Sequence, residues 1–174
     1  HGSQDLYPTY LEIQRGLDTH EVSVIAIIYN IGAIVGGITF GWLSEQLGRQ
    51  RAAICAALLA LPLIPLWTMA PNIVILAIGA FAMQFVVQGA WGVIPAYLNE
   101  ISPIEIRAVF PGLVYQLGNL LASSNASIQS SIAASHNGNY SLALSITIGV
   151  VAIVIAGIMF LIPSPKNHLK PVIE

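Results

Sequence analysis

His1 and Asp5 are the residues whose types and spacing best suit proton chemistry. They lie four positions apart, so in a helix they would share one face. An imidazole changes charge near neutral pH, and an ionisable pair at membrane depth is a candidate for taking up and releasing protons. Two alternatives stay open: a structural ion pair at a helix end, or vector-derived residues at positions 1–3, which would leave Gln4, Asp5 and Thr9 in place.

Uncharged polar side chains form a second candidate set, and they recur at helical spacing. One stripe follows steps of three or four: Gly112, Gln116, Asn119, Ser123, Ser127 and Ser130. Because such groups are unfavourable against lipid, the stripe predicts the wall of a water-filled cavity, with a dry helix interface as the alternative. A shorter set shares one face of another helix: Gln84, Gln88, Trp91 and Pro95. That set fits interhelical hydrogen bonds and solute contact equally well.

The turn from position 41 to 51 carries the densest group of charges. Its candidate residues are Gly41, Glu45, Gly48, Arg49 and Arg51. The two glycines permit close approach of helices and a tight reversal of the chain. Glu45 can pair with Arg49, with Arg51 or with a helix N-terminus.

Long apolar runs must position these groups. Hydrophobic residues make up 56% of the 174-residue chain and charged residues only 8%, with a mean hydropathy of +0.77. A helix needs about 20 apolar residues to cross the hydrocarbon core. Five stretches meet or nearly meet that length: 22–43, 52–70, 73–98, 108–134 and 141–163. The composition therefore predicts an all-α polytopic transmembrane helix bundle, an integral multi-pass membrane protein.

The remaining segments are assigned around these five spans. Residues 1–11 are predicted to be the end of a truncated span, because the chain opens on a histidine without an initiator methionine. Residues 12–21 would form an outer loop, and residues 164–174 a cytoplasmic tail. Span 22–43 also carries four glycines, which predict close helix packing: Gly32, Gly36, Gly37 and Gly41.

The distribution of basic residues predicts the orientation. The face assigned to the cytoplasm carries five: Arg49, Arg51, Arg107, Lys166 and Lys170. The opposite face carries only Arg15. A net charge of −2 without a basic cluster gives nucleic acid nothing to bind. The sequence shows no nucleophile and base pair, metal-ligand cluster or phosphate loop, so we expect neither an enzyme nor a cofactor or metal site.

Two segments carry a resemblance to a known superfamily. The turn GWLSEQLGRQR at positions 41–51 resembles the signature loop of the major facilitator superfamily, with Glu45 where aspartate is usual. The segment PAYLNEISPIEIR at positions 95–107 resembles the stretch that joins the tenth and eleventh spans of its members. The resemblance implies the C-terminal six-span half of a twelve-span transporter. It also implies that Gly41, Glu45, Gly48, Arg49 and Arg51 form a gating loop.

The opening segment narrows the resemblance. HGSQDLYPT at positions 1–9 is similar to the seventh-span signature of the fungal lactate and pyruvate:proton symporters, in the sialate:proton symporter branch. FPGLVYQLGN at positions 110–119 looks like the eleventh span of that family. There the position of Gln116 affects the choice of substrate.

The first hypothesis is therefore a secondary active transporter that moves a small monocarboxylate, such as lactate or pyruvate, with a proton across the plasma or inner membrane. His1 and Asp5 would couple the proton, while Gln4, Gln116 and Asn119 would donate hydrogen bonds to the solute. The expected partners are a small organic anion, a proton, the lipid bilayer and the missing N-terminal half. The same fold carrying sialic acid, a sugar or another organic solute is the second hypothesis, and a non-transporting membrane scaffold or sensor is the third.

Overall fold

The computed structural model describes residues 2–162, and these residues form helices and turns without any strand. A short helix α1, Tyr7–Thr9, continues as the π-helix Tyr10–Gln14. The further helices are α2 (Thr19–Leu47), α3 (Arg49–Thr68), α4 (Ile73–Ile101), α5 (Phe110–Ala122), α6 (Asn125–Ser135) and α7 (Tyr140–Leu161). His1 and the predicted tail 164–174 lie outside the described residues.

Among the described helices, α2, α3, α4 and α7 are long and apolar enough to cross a membrane. They correspond to the predicted spans 22–43, 52–70, 73–98 and 141–163. Three prolines lie inside these helices: Pro62 and Pro65 in α3, and Pro95 in α4. The bundle is all-α and of the transmembrane type, as the composition predicted.

The loop before α2 is shorter than the predicted outer loop 12–21. Helical structure continues to Gln14, and α2 already begins at Thr19. Asp18 sets this start, because its side chain accepts a hydrogen bond from the Glu21 backbone N–H at 2.8 Å. The Glu21 carboxylate in turn accepts from the Asp18 N–H at 3.1 Å. This reciprocal capping box satisfies two N–H groups that a helix start otherwise leaves unpaired.

Close contact between α2 and α4 builds the centre of the bundle. Gly32 lies against the backbone of Phe81, and Gly36 lies against the backbone of Phe85. A methyl group at either glycine would overlap a carbonyl oxygen of α4. Helix α4 also packs on α3, where Gly79 lies against the backbone of Leu66. The predicted role of the span's glycines in helix packing is carried by Gly32, Gly36 and Gly37, the last with its carbonyl oxygen 3.4 Å from a Cβ placed at Gly92 of α4. At Gly41, no atom lies within 4 Å of an added Cβ.

The predicted span 108–134 is divided into α5 and α6 by a turn at Ser123 and Ser124. The Ser123 hydroxyl donates to the Leu120 carbonyl at 2.7 Å, and the Ser124 hydroxyl donates to the Leu121 carbonyl at 3.1 Å. Hydroxyls that bond back to the preceding turn compete with regular helix geometry. With 13 and 11 residues, neither piece is long enough to span alone. The count of five complete spans therefore stays a prediction.

Sidedness can be tested with cysteines at exposed positions near the two ends of the bundle. Ser44 and Ser102 are buried, so Gln46 and Glu105 are better labelling sites for the 41–51 turn and the 99–107 segment. We expect Gln46→Cys and Glu105→Cys to react with an impermeant maleimide from the same side, and Asn137→Cys from the opposite side. The measurement uses full-length protein with Cys55→Ser, in intact cells and in inverted vesicles. Reaction of Gln46→Cys and Glu105→Cys from opposite sides would overturn the topology.

Candidate functional site

Asp5 lies in a turn that α6 holds in place. The Asn125 side-chain amide donates to Asp5 Oδ2 at 2.8 Å. Residues 2–6 form turns, so the helical face predicted for His1 and Asp5 is absent from this part of the backbone. Helical structure begins only at Tyr7, where Pro8 occupies the first turn, a position at which its missing N–H costs nothing. The proton-coupling roles of His1 and Asp5 stay a prediction.

Gln129 fixes the same segment from a second point on α6. Its side-chain amide donates to the Gly2 carbonyl at 2.8 Å, and the residue is fully buried. The side-chain oxygen, Oε1, has no hydrogen-bond partner among the described residues. Sequence reasoning missed both Asn125 and Gln129, because neither residue belongs to the predicted stripe. A pair of amides four residues apart within one apolar stretch is the signal that could have found them.

The chain after Asp5 is tied to the end of α3. The Tyr7 hydroxyl donates to the Trp67 carbonyl at 3.2 Å, and the Tyr10 hydroxyl donates to the Thr68 carbonyl at 2.6 Å. Arg15 donates to the Ala70 carbonyl at 2.6 Å. The rings of Tyr7 and Trp67 also stack with centroids 5.0 Å apart. We call residues 7–15 the anchor segment, because these contacts fix it to the bundle.

The predicted substrate residues do not converge on one point in the described structure. Gln4 is half-buried beside Asp5, whereas Gln116 is exposed on α5 and Asn119 is half-buried on that helix. No residue of α5 is buried. Polar groups that face neither lipid nor a packed helix need water or another part of the protein as partner. Their roles in solute binding therefore stay a prediction.

A cleft of about 490 Å³ lies between α2 and α4, and its lining combines two amides and an indole with aliphatic residues and glycines. Asn30 comes from α2, while Gln88 and Trp91 come from α4. The Trp91 ring contacts Tyr115 on α5 with centroids 5.5 Å apart, which places α5 beside the cleft. Of the predicted α4 face, Gln88 and Trp91 reach the cleft. Sequence reasoning missed Asn30, a single amide in an otherwise apolar run.

Gln84, a member of the same predicted face, is buried in the bundle. Its Oε1 atom has no hydrogen-bond partner among residues 2–162. The face thus divides between a buried amide and a cleft-facing pair, Gln88 and Trp91.

A larger groove between α2 and α4 suits a polar solute less well. It measures about 650 Å³, and its walls include Val24, Ile28, Val74 and Phe81. Polar side chains enter its lining only at the start of α2, where His20 and Glu21 lie. Because specific binding of a polar solute needs several convergent polar groups, we place the candidate site in the smaller cleft.

The 41–51 turn makes its ion pair with α4. Gly48 has φ 91°, which allows the tight reversal between α2 and α3 that the sequence predicted. Arg49 Nε lies 3.0 Å from Glu100 Oε1, and Arg49 also donates to the Ser44 hydroxyl at 2.6 Å. Of the three partners considered for Glu45, Arg49 pairs with Glu100 instead: Glu45 is exposed on the last turn of α2, and the start of α3 directs Arg49 across to α4. Pairing of Glu45 with Arg51 or with a helix N-terminus stays a prediction. Arg51 is exposed.

This turn also holds the end of the last described helix. The Gln50 side-chain amide donates to the carbonyls of Met159 and Ile162, the latter at 2.7 Å. Carbonyls at a helix C-terminus lack partners within the helix, so an external donor stabilises them. The turn consequently joins α3, α4 and α7 at one end of the bundle, where a gating loop would have to act.

The family model described as "Sugar (and other) transporter" matches residues 3–169. The carboxylic acid transporter protein homolog of Saccharomyces cerevisiae is 40% identical over 134 residues, which are 76% of this chain and 22% of that protein. The sialic acid transporter NanX of Escherichia coli is 26% identical over 150 residues, 84% of this chain and 36% of that protein.

A third relative is a galactose-proton symporter of Escherichia coli, 30% identical over 155 residues, which are 89% of this chain and 32% of that protein. The chain therefore spans between 22% and 36% of the length of these relatives.

Proposed function

Because the chain belongs to the sugar (and other) transporter family of the major facilitator superfamily, we propose that the complete protein carries a small monocarboxylate together with a proton. The chain is embedded in a membrane through its apolar helices. One relative, 40% identical, is named a carboxylic acid transporter protein homolog. That likeness supports a carboxylate cargo over the sugars named for relatives at 30%.

The observation that carries the proton part is the Asp5 carboxylate held by Asn125 at 2.8 Å. Asp5 is exposed among the described residues, and an ionisable group next to the helices of a membrane domain is a candidate for proton handling. Since each elementary charge moved across 100 mV involves about 2.3 kcal/mol, carrying the anion with a proton removes the electrical work. Asp5 is suited to exchange that proton, with His1 as the predicted second group.

The cleft between α2 and α4 supports the solute part. The Gln88 amide can donate to a carboxylate oxygen, and so can the second N–H of Asn30, whose amide donates its first N–H to the Ala26 carbonyl at 2.8 Å. Helix α5 lies beside the cleft through the contact of Tyr115 with Trp91. We expect Gln116 and Asn119 of that helix to reach the solute in the complete protein. Helices α2 and α4–α7 contain no Lys or Arg in their described residues. We expect the cationic partner of the anion to come from the rest of the protein.

A sugar or sialic acid is the second candidate cargo, and Trp91 favours it. The indole is 40% exposed on the cleft wall beside two amides. An aromatic face with neighbouring hydrogen-bonding groups suits a sugar ring as well as a carboxylate. The cleft alone therefore does not choose between these cargoes, whereas a transport assay does.

We expect purified full-length protein in proteoliposomes to concentrate lactate when the lumen is alkaline, and a protonophore to abolish this uptake. Galactose and sialate are measured in parallel. Uptake of either of these instead of lactate would replace the monocarboxylate proposal with the second candidate. No gradient-dependent uptake of any of the three would contradict proton-coupled transport and favour a scaffold or sensor.

Within that assay, Gln88→Leu and Asn30→Val are expected to raise the KM for the transported solute about tenfold, the effect of losing one hydrogen bond to a charged group. The matched control is Asn99→Ala, which removes an exposed amide of α4 that donates to the Pro95 carbonyl at 3.1 Å. An unchanged KM in both cleft variants would remove the cleft from the proposed solute path.

A further inference from the structure

Helix α6 holds the N-terminal turn at two points. Asn125 donates to the Asp5 carboxylate and Gln129 donates to the Gly2 carbonyl, each at 2.8 Å. The two amides are four residues apart, so they lie on one face of α6. Asn125 holds the carboxylate, and Gln129 holds the backbone of the turn that carries it. We call this pair the α6 clamp.

Packing alone does not account for Gln129. The residue is fully buried, and its Oε1 atom has no partner among the described residues. A leucine or methionine would fill a similar volume without leaving a buried oxygen unpaired, which is unfavourable. The bond to the Gly2 carbonyl therefore explains an amide at position 129 better than filling of the core does.

The break between α5 and α6 gives Asn125 its position. Asn125 is the first residue of α6, so its side-chain amide meets the Asp5 carboxylate at the turn between α5 and α6. The turn also packs closely against α7: a Cβ at Gly2 would lie 3.3 Å from Thr147 Cγ2 on that helix. Contacts with α6 and α7 thus limit where the turn that carries Asp5 can lie.

We propose that Asn125 and Gln129 are positioning residues for the proton step. The proposal rests on the proposed function, in which Asp5 takes up and releases the proton. An amide does not titrate at physiological pH, so neither residue exchanges the proton itself. Asn125 fixes the carboxylate oxygen, and Gln129 fixes the turn, so that Asp5 keeps one location between successive protonations.

The test separates proton coupling from solute exchange in the full-length protein. We expect Asn125→Leu and Gln129→Leu to lower pH-gradient-driven accumulation about tenfold or more, because each removes one hydrogen bond that fixes Asp5. Counterflow exchange, which needs no net proton movement, should stay within about twofold of the parent. The control is Ser131→Ala, an exposed α6 residue whose hydroxyl donates to the Ser127 carbonyl.

If the leucine variants fold poorly, an exchange of the side chains at positions 5 and 125 tests the proposal instead. Asn125→Asp alone places a second carboxylate against Asp5 and should lose accumulation. Combining it with Asp5→Asn restores one carboxylate and one amide in contact, and accumulation should exceed that of either single variant. Failure of this recovery contradicts the clamp.

Other outcomes distinguish the clamp from the proposed function. Normal accumulation in Asn125→Leu and Gln129→Leu, or a parallel loss of counterflow, contradicts the positioning role while Asp5→Asn still loses coupling. Normal accumulation in Asp5→Asn would instead overturn the proposed function, and the clamp with it.

Discussion

Asp5→Asn in the full-length protein is expected to abolish pH-gradient-driven accumulation and to leave counterflow exchange of the solute in place. Asparagine keeps the shape of the side chain but cannot take up or release a proton. We expect His1→Ala to do the same or to shift the pH optimum, since His1 is the predicted second proton-handling group. The measurement is the steady-state accumulation ratio in cells or proteoliposomes with protein levels matched.

Glu12→Gln provides the matched control for that substitution. Like Asp5, Glu12 is an exposed carboxylate, but it lies on the π-helix Tyr10–Gln14 and makes no hydrogen bond to α6 among the described residues. Removing its charge should change accumulation less than about twofold, because an exposed charge of this kind contributes little. If Asp5→Asn builds a normal solute gradient, the coupling role of Asp5 is wrong and a structural role for the carboxylate remains.

Gly36→Ala is expected to destabilise the bundle severely. A methyl group there would overlap the Phe85 carbonyl oxygen on α4, and backbone atoms cannot move aside as a side chain can. Overpacking of this kind costs about 1–3 kcal/mol or more, which is a large part of the stability of a typical domain. We expect the variant to lose its monodisperse peak in fluorescence-detected size-exclusion chromatography and to show a lowered Tm.

The neighbouring Gly37→Ala tests whether the effect belongs to this contact or to glycine loss in general. A Cβ at Gly37 would lie 4.0 Å from the Gln88 carbonyl oxygen, an ordinary contact distance. Alanine also favours helix over glycine by about 1 kcal/mol, so Gly37→Ala should be neutral or stabilising. Equal loss of stability in both variants would contradict the proposed packing of α2 on α4.

The transmembrane helices were predictable because each needs a long apolar run, and composition records such runs directly. Their ends were less predictable. The start of α2 at Thr19 depends on the reciprocal bonds of Asp18 and Glu21, which the hydropathy of the run does not register. The division at Ser123 and Ser124 was not foreseen either, because serine occurs both inside helices and at their ends.

The candidate site was predictable in residue type more than in arrangement. The α4 face was read correctly at Gln88 and Trp91, since helical spacing fixes which residues share a side. The contacts of Asn125 with Asp5 and of Arg49 with Glu100 join residues far apart in the chain. Spacing within one helix carries no information about such pairs. They depend on how separate helices pack.

The anchor segment has a consequence for the order in which the chain is made. Its three donors, Tyr7, Tyr10 and Arg15, precede their acceptors near the end of α3 by 55 to 60 residues. At about 5–20 residues per second, the ribosome needs about 3–12 s to supply those carbonyls. During that interval the donors require water or lipid headgroups as partners, because unpaired polar groups are unfavourable in hydrocarbon. The anchor segment must therefore wait at the membrane surface until α3 is complete, and this end of the bundle closes only then.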